Sequence, residues 1–244
     1  MPLVIVHVSG AASLEEIRRA RARGLAVIAE TCPQYLMLTE ADLDQPDMLG
    51  AQVMCSPPPR DAAAQAACWR GIEDGSFELF NSDHAPYRFD TGGKLRAGPS
   101  PPFRKVANGV PGLATRLPIL FSEGVVAGRI SLPLFVALTA TNNAAIGGLA
   151  PRKGSIAIGA DADIAICDPA RRVTITNDLL HHAVDYTPYE GMVVTGWPET
   201  VLSRGEVIVE RGELRAKPGR GRFLEQRVSA AWGPFAEGLP WISA

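Results

Sequence analysis

Apolar and polar positions change their period along the chain, and the change divides it. Residues 3–8 are an apolar, β-branched run interrupted only by His7, and 25–30 and 77–81 are further largely apolar runs, with a shorter one at 51–54. Runs of this length bounded by turn residues predict strands. Helical spacing lies between them. Ser13-Leu14-Glu15-Glu16 has the form of a capping box opening a helix that Gly24 stops, and 61–74 predicts another helix. Continuous apolar strands joined by helices imply a parallel sheet covered on both faces. Further helices are expected at 111–123, 131–140 and 143–149.

From residue 151 short β segments take over, at 162–167, 173–176, 192–195, 200–203 and 207–210, punctuated by Gly154, Gly159, Gly205 and Gly212. This pattern predicts a small antiparallel β module. The tail from Lys217 is rich in Gly and Arg, then apolar at Trp232, Phe235 and Trp241, and reads as a packing arm. The expected division is 1–150 for the strand–helix part, 151–215 for the β module and 216–244 for the arm. A closed β/α barrel needs eight strands and about 250 residues. The first part supplies too few strands for closure, so an incomplete barrel is expected.

Composition narrows the classes. The 244 residues are 46% hydrophobic and 20% charged, which argues against disorder and coiled coil. A net charge of −2 gives no electrostatic reason to expect nucleic acid or an anionic membrane. No apolar run reaches about 18 residues, so no membrane span is expected. The N-terminus lacks a secretory pattern, and a cytoplasmic location is expected. Cys32, Cys55, Cys68 and Cys167 form no C-x-x-C pair and read as reduced thiols. Only four histidines occur, so a multi-histidine site would use nearly all of them.

Two residues at predicted strand ends could carry chemistry. His7 closes the first strand and Asp83 follows the strand at 77–81, the edge where β/α barrels assemble their sites. A lone histidine in an apolar strand is more often a core residue, and an aspartate after a strand is often a loop cap. Together, imidazole and carboxylate suit zinc or a similar divalent ion. Ser56-Pro57-Pro58-Pro59 must run extended, either as a surface connector or as a wall presenting backbone groups to a ligand. Asn108-Gly109 marks a turn. His181-His182, read as neighbours on a strand, would point to opposite faces and are assigned a structural role. The loop from 83 to 107, with Gly92-Gly93 and Pro101-Pro102, is long enough to suggest function or mobility.

These words occur in one order that resembles a known family. VIVHVSG (4–10), ETCPQYL (30–36), MCSPPPR (54–60), NSDHAP (81–86), VANGVPG (106–112), GLAPRKGSIAIGADADIAICDP (148–169) and DYTPYEG (185–191) resemble the C-terminal half of dihydropyrimidinases and D-hydantoinases. These are cyclic amidases of the amidohydrolase superfamily. The resemblance implies the C-terminal portion of a TIM-like (β/α)8 metal-dependent hydrolase barrel, incomplete in this chain, with a small β-sandwich module. It implies two zinc ions bridged by hydroxide and a carboxylated lysine. His7 matches a histidine ligand of one metal, and Asp83 matches the aspartate that binds the other and carries the proton. Ser56 and Asn108 match positions whose backbone atoms hold the ring amide. Of the family's six protein ligands, this sequence matches two. The resemblance thus implies a segment of a truncated or split enzyme, with an N-terminal half or a homo-oligomer as its partner. Its substrate is a small cyclic amide, opened to an N-carbamoyl amino acid. The other readings are a non-catalytic amidohydrolase-like scaffold or an inactive fragment.

Overall fold

The computed structural model describes residues 2–227. The apolar tail residues Trp232, Phe235 and Trp241 lie outside the described residues. The chain forms two compact units. The first comprises 1–120 with 174–193, and the second 121–173 with the residues from 194 onward.

The first unit is built on a three-stranded parallel sheet. Strand β1 (Leu3–Ile5) pairs with β2 (Val27–Thr31), Val4 opposite Ile28, and β2 pairs with β3 (Leu79–Phe80), Thr31 opposite Phe80. The order β1-β2-β3 puts β2 in the centre. Helix α1 (Ala11–Ala22) connects the first two strands and buries Leu14 and Ile17. It begins two residues before Ser13, with Gly10 at its N-cap and no side-chain cap, so the expected capping box at Ser13 does not form. The box forms instead at Thr39, where α3 (Glu40–Leu43) starts and Asp42 closes it. Between them, α2 (Pro33–Met37) follows β2 directly.

Residues 51–54, expected to be a strand, belong to a 3₁₀ turn, Leu49–Val53. Gly50 approaches the Leu43 carbonyl so closely that an added Cβ would sit 1.9 Å from its oxygen, and Met48 before it is left-handed. A run of only four residues leaves helix and strand undecided, and this close packing settles it as a coil. Helix α4 (Ala62–Glu73) begins at Asp61, whose side chain accepts from the Ala64 N–H as an N-cap should. It buries Cys68, Trp69 and Ile72. Gly71 on this helix lets Phe77 and Leu14 close in, because a Cβ there would lie 2.7 Å from the Phe77 ring. Helix α5 (Arg116–Leu120) adds Ile119 and Leu120 to the core. The late segment closes the unit. Ile175 exchanges backbone hydrogen bonds with Met192 and Gly191, and Tyr186 and Tyr189 are buried.

In the second unit the helices expected at 131–140 and 143–149 are continuous. Ser131 caps α6 (Leu132–Val136), which passes through a π-type stretch, Ala137–Thr141, into α7 (Asn142–Ile146). The short β segments also fuse. The runs at 162–167 and 173–176 become one strand, β4 (Ile164–Thr174), and 192–195 and 200–203 become β5 (Val193–Ser203). Gly196 does not break β5, because it makes room for Phe121, whose ring would lie 2.3 Å from an added Cβ. Strands β6 (Glu206–Glu210) and β7 (Glu213–Leu214) complete a sheet in the order β4-β5-β6-β7, with β5/β6 and β6/β7 antiparallel. Both hairpins turn through Arg-Gly pairs with positive φ, Arg204-Gly205 and Arg211-Gly212, the geometry that matches strand twist. The described residues give one sheet here rather than the two layers of a sandwich.

Candidate active site

The parallel register fixes where the two proposed metal donors fall. His7 lies two residues past β1 and Asp83 three past β3, so both follow the carboxyl ends of the strands that flank β2. Both adopt left-handed backbone conformations, with φ of 44° and 45°. For residues other than glycine this is uncommon, and it persists only where the surroundings enforce it. Here they do. Val8 N–H donates to the Glu30 carbonyl at 2.8 Å, Thr31 Oγ1 donates to the Val8 carbonyl at 2.9 Å, and Asn81 N–H donates to the Thr31 carbonyl at 3.1 Å.

Glu30, near the end of β2, joins the two turns. Its buried carboxylate accepts the His7 backbone N–H at 3.3 Å through Oε1 and the Asn81 side-chain amide through Oε2. Neither Glu30 nor Asn81 was singled out from sequence, although both stand inside the quoted words ETCPQYL and NSDHAP. Cys32 sits beside this carboxylate, and its thiol is pushed up chiefly by burial, then by the charges of Glu30 and Asp83. Arg116 donates to the Phe80 carbonyl at 2.6 Å, and burial lowers its pKa.

Imidazole and carboxylate are a suitable donor pair for a divalent cation. Among the described residues no group of three or more His, Cys, Asp or Glu side chains could hold one. His84 and His182 make hydrogen bonds within the chain. His84 Nδ1 accepts the N–H groups of Gly112 and Leu113 at 3.1 and 3.3 Å, and burial lowers its pKa. His182 Nε2 meets Asn177 Oδ1 at 2.7 Å; the pair 181–182 is not in a strand, and His182 lies in a bend.

Ser56 and Asn108 meet at one cavity of about 640 Å³. Its wall is mainly apolar, with Leu43, Met48, Met54, Val106 and Phe103 among its lining. The two segments are tied by their backbones, since Gly109 N–H donates to the Met54 carbonyl at 3.0 Å. On the other side of Ser56, the Pro57 carbonyl takes the Tyr35 hydroxyl at 2.9 Å and the Cys55 thiol at 3.3 Å. Burial pushes the Cys55 thiol up to about 11, so it stays protonated and donates. Lys94 was also overlooked in the sequence. It is fully buried, and its Nζ donates to the Met54 and Ala107 carbonyls at 3.1 and 3.0 Å.

Comparison with known proteins gives a consistent result. The model of the amidohydrolase family matches residues 6–208. A D-hydantoinase of Ralstonia pickettii is 44% identical over 226 residues, which are 93% of this chain and 49% of that protein. A D-phenylhydantoinase of Escherichia coli O1:K1 / APEC is 41% identical over 93% of this chain and 48% of its own length. Among solved structures, a dihydropyrimidinase from Brevibacillus agri NCHU1002 superposes with a TM-score of 0.89 at 41% identity, covering 94% of this chain and 49% of that one. The chain therefore spans about half the length of the relatives it matches.

Proposed function

This chain belongs to the amidohydrolase family, and we propose that it serves in the hydrolytic opening of a cyclic amide of the hydantoin or dihydropyrimidine type. The observation that carries this reading is the position of His7 and Asp83 at the carboxyl ends of the two strands beside β2. The likeness to hydantoinases and a dihydropyrimidinase supports it. In this reading residues 1–150 are part of a β/α barrel and residues 151–215 a β module. His7 and Asp83 would each hold one of two zinc ions, in a cytoplasmic enzyme that acts as a homo-oligomer. When bound, such a pair of cations lowers the pKa of the attacking water and polarises the ring carbonyl.

The chain's own residues do the rest. A carboxylate oxygen of Asp83 takes a proton as the new C–O bond forms at the ring carbonyl. It returns that proton to the ring nitrogen as the C–N bond breaks, giving an N-carbamoyl amino acid. Backbone groups at Ser56 and Asn108 hold the ring amide while this happens.

The test co-expresses this chain with the half of the Ralstonia pickettii D-hydantoinase that it does not span. Hydantoin and dihydrouracil hydrolysis and zinc content are then measured. The expected result is a zinc-containing assembly that opens the ring and loses turnover in Asp83→Ala. An assembly that forms yet stays inert would favour the non-catalytic scaffold. Substantial turnover in Asp83→Ala would remove the proton-carrying role.

A further inference from the structure

We infer that Lys94 is a positioning residue that sets the gap between the backbone segments of Ser56 and Asn108. This rests on the reading above, in which those segments grip the ring amide. A lysine is almost never fully buried without a partner charge. Lys94 has no exposed surface, and among the described residues its hydrogen-bond partners are two carbonyls and no carboxylate. A buried ammonium held this way spends its donors on backbone position rather than on an ion pair.

The carbonyls it joins are not arbitrary. Met54 stands two residues before Ser56, and Ala107 directly precedes Asn108. The Met54 carbonyl also accepts the Gly109 N–H at 3.0 Å, so Lys94 and Gly109 close a small ring around Asn108.

The loop aims the lysine inward. The Lys94 N–H donates to the Arg88 carbonyl at 2.8 Å, and Leu95 N–H donates to the Asp90 carbonyl at 3.0 Å, giving a tight turn. Gly93 fits only because it lacks a side chain, since a Cβ would lie 2.1 Å from the Arg88 oxygen. The word Gly92-Gly93-Lys94 thus turns a long connection into an arm that carries the ammonium to the Met54 and Ala107 carbonyls. Gly109 is equally constrained, at φ 140° with a Cβ position 2.3 Å from Ala85. Lys94 and Gly109, which tie the two segments to each other, thus lie in or directly beside the loop.

The experiment compares parent, Lys94→Met and Lys94→Arg by two measurements. Hydrogen exchange is read on the full chain at the Gly109 amide, with Ala67 and Ile72 of α4 as core references. KM and kcat for dihydrouracil are read on the co-expressed assembly. In Lys94→Met the Gly109 amide should exchange at least tenfold faster while α4 is unchanged, and KM should rise about tenfold with kcat kept within threefold. Lys94→Arg, which keeps charge and donors, should recover part of both. Unchanged Gly109 exchange, or unchanged KM, overturns the assignment. So does faster exchange at Gly109 and α4 together, which marks a general stabiliser. If Lys94→Met does not fold, Lys94→Arg alone decides, because a longer, planar head must displace the carbonyls and raise KM. If the unaltered assembly fails to open the ring, the proposed function falls, and the exchange pattern still decides whether Lys94 sets the gap.

Discussion

Replacing Lys94 by methionine should change how the protein's stability responds to alkali. Burial lowers the lysine from an ordinary value of 10.5 to about 8, with Cys55 acting in the opposite direction. A displacement of that size corresponds to roughly 3 kcal/mol, at about 1.4 kcal/mol per tenfold change. The sign follows from proton counting. Below pH 8 the amine is charged in folded and unfolded chains alike, so the penalty of burying the charge is present in full. Between pH 8 and 10.5 the unfolded chain holds a proton that the folded one has released, so stability rises with pH. From pH 8 to 9.5 that rise should reach about 2 kcal/mol.

Buried thiols act the other way. Cys55 and Cys68, raised to about 11 by burial, weaken the fold once free thiols begin to ionise near pH 9. They are present in both proteins and largely cancel in a difference. At pH 7 parent and variant should differ little. Methionine relieves the desolvation but strips the Ala107 carbonyl of its donor, at about 1–3 kcal/mol. The assay is urea unfolding of both proteins at half-unit steps from pH 7 to 9.5. The stability difference should tilt toward the parent by about 2 kcal/mol above pH 8. A flat difference, or a tilt toward the variant, would refute the reasoning. NMR titration offers a direct check, because Lys94 is one of only four lysines.

Other outcomes follow from the strand ends and the cavity wall. Glu30→Ala removes the acceptor shared by His7 and Asn81 and should lower stability by about 2–3 kcal/mol; an unchanged urea midpoint would contradict this. His7→Gly relieves a left-handed backbone worth about 1–2 kcal/mol and adds chain entropy of about 0.5–1 kcal/mol. Its thermal midpoint should therefore match or exceed the parent's while the co-expressed assembly loses the proposed ring opening, and a clear fall in midpoint would show that the imidazole also stabilises the fold. Gly109→Ala meets both a positive φ and the Ala85 side chain. It should cost at least about 2 kcal/mol and weaken substrate binding. Wild-type stability and KM together would sink that account.

Much of the first unit could be read from the chain because continuous apolar runs need cover on both faces, and only a parallel sheet supplies it. That same rule located His7 and Asp83 at strand ends. The run at 51–54 misled because its coil comes from Gly50 touching Leu43, a contact between segments that no period of two or 3.6 encodes. The separation of 192–195 from 200–203 misled for a similar reason, since Gly196 stays inside β5 packed against Phe121, a contact that local pattern does not encode. Lys94 stayed invisible because its partners lie 40 and 13 residues away. Glu30 was hidden inside a recognised word, where its likeness to relatives drew attention to the motif rather than to the carboxylate.

The division of the first unit between 1–120 and 174–193 has a consequence for biosynthesis. The buried Tyr186 and Tyr189 emerge from the ribosome only after residues 121–173 have been made. At 5–20 residues per second that interval is roughly 3–10 s. Throughout it the nascent parallel sheet must wait without its last layer, and an arrested translation product ending near residue 173 should engage chaperones far more than one ending beyond residue 193.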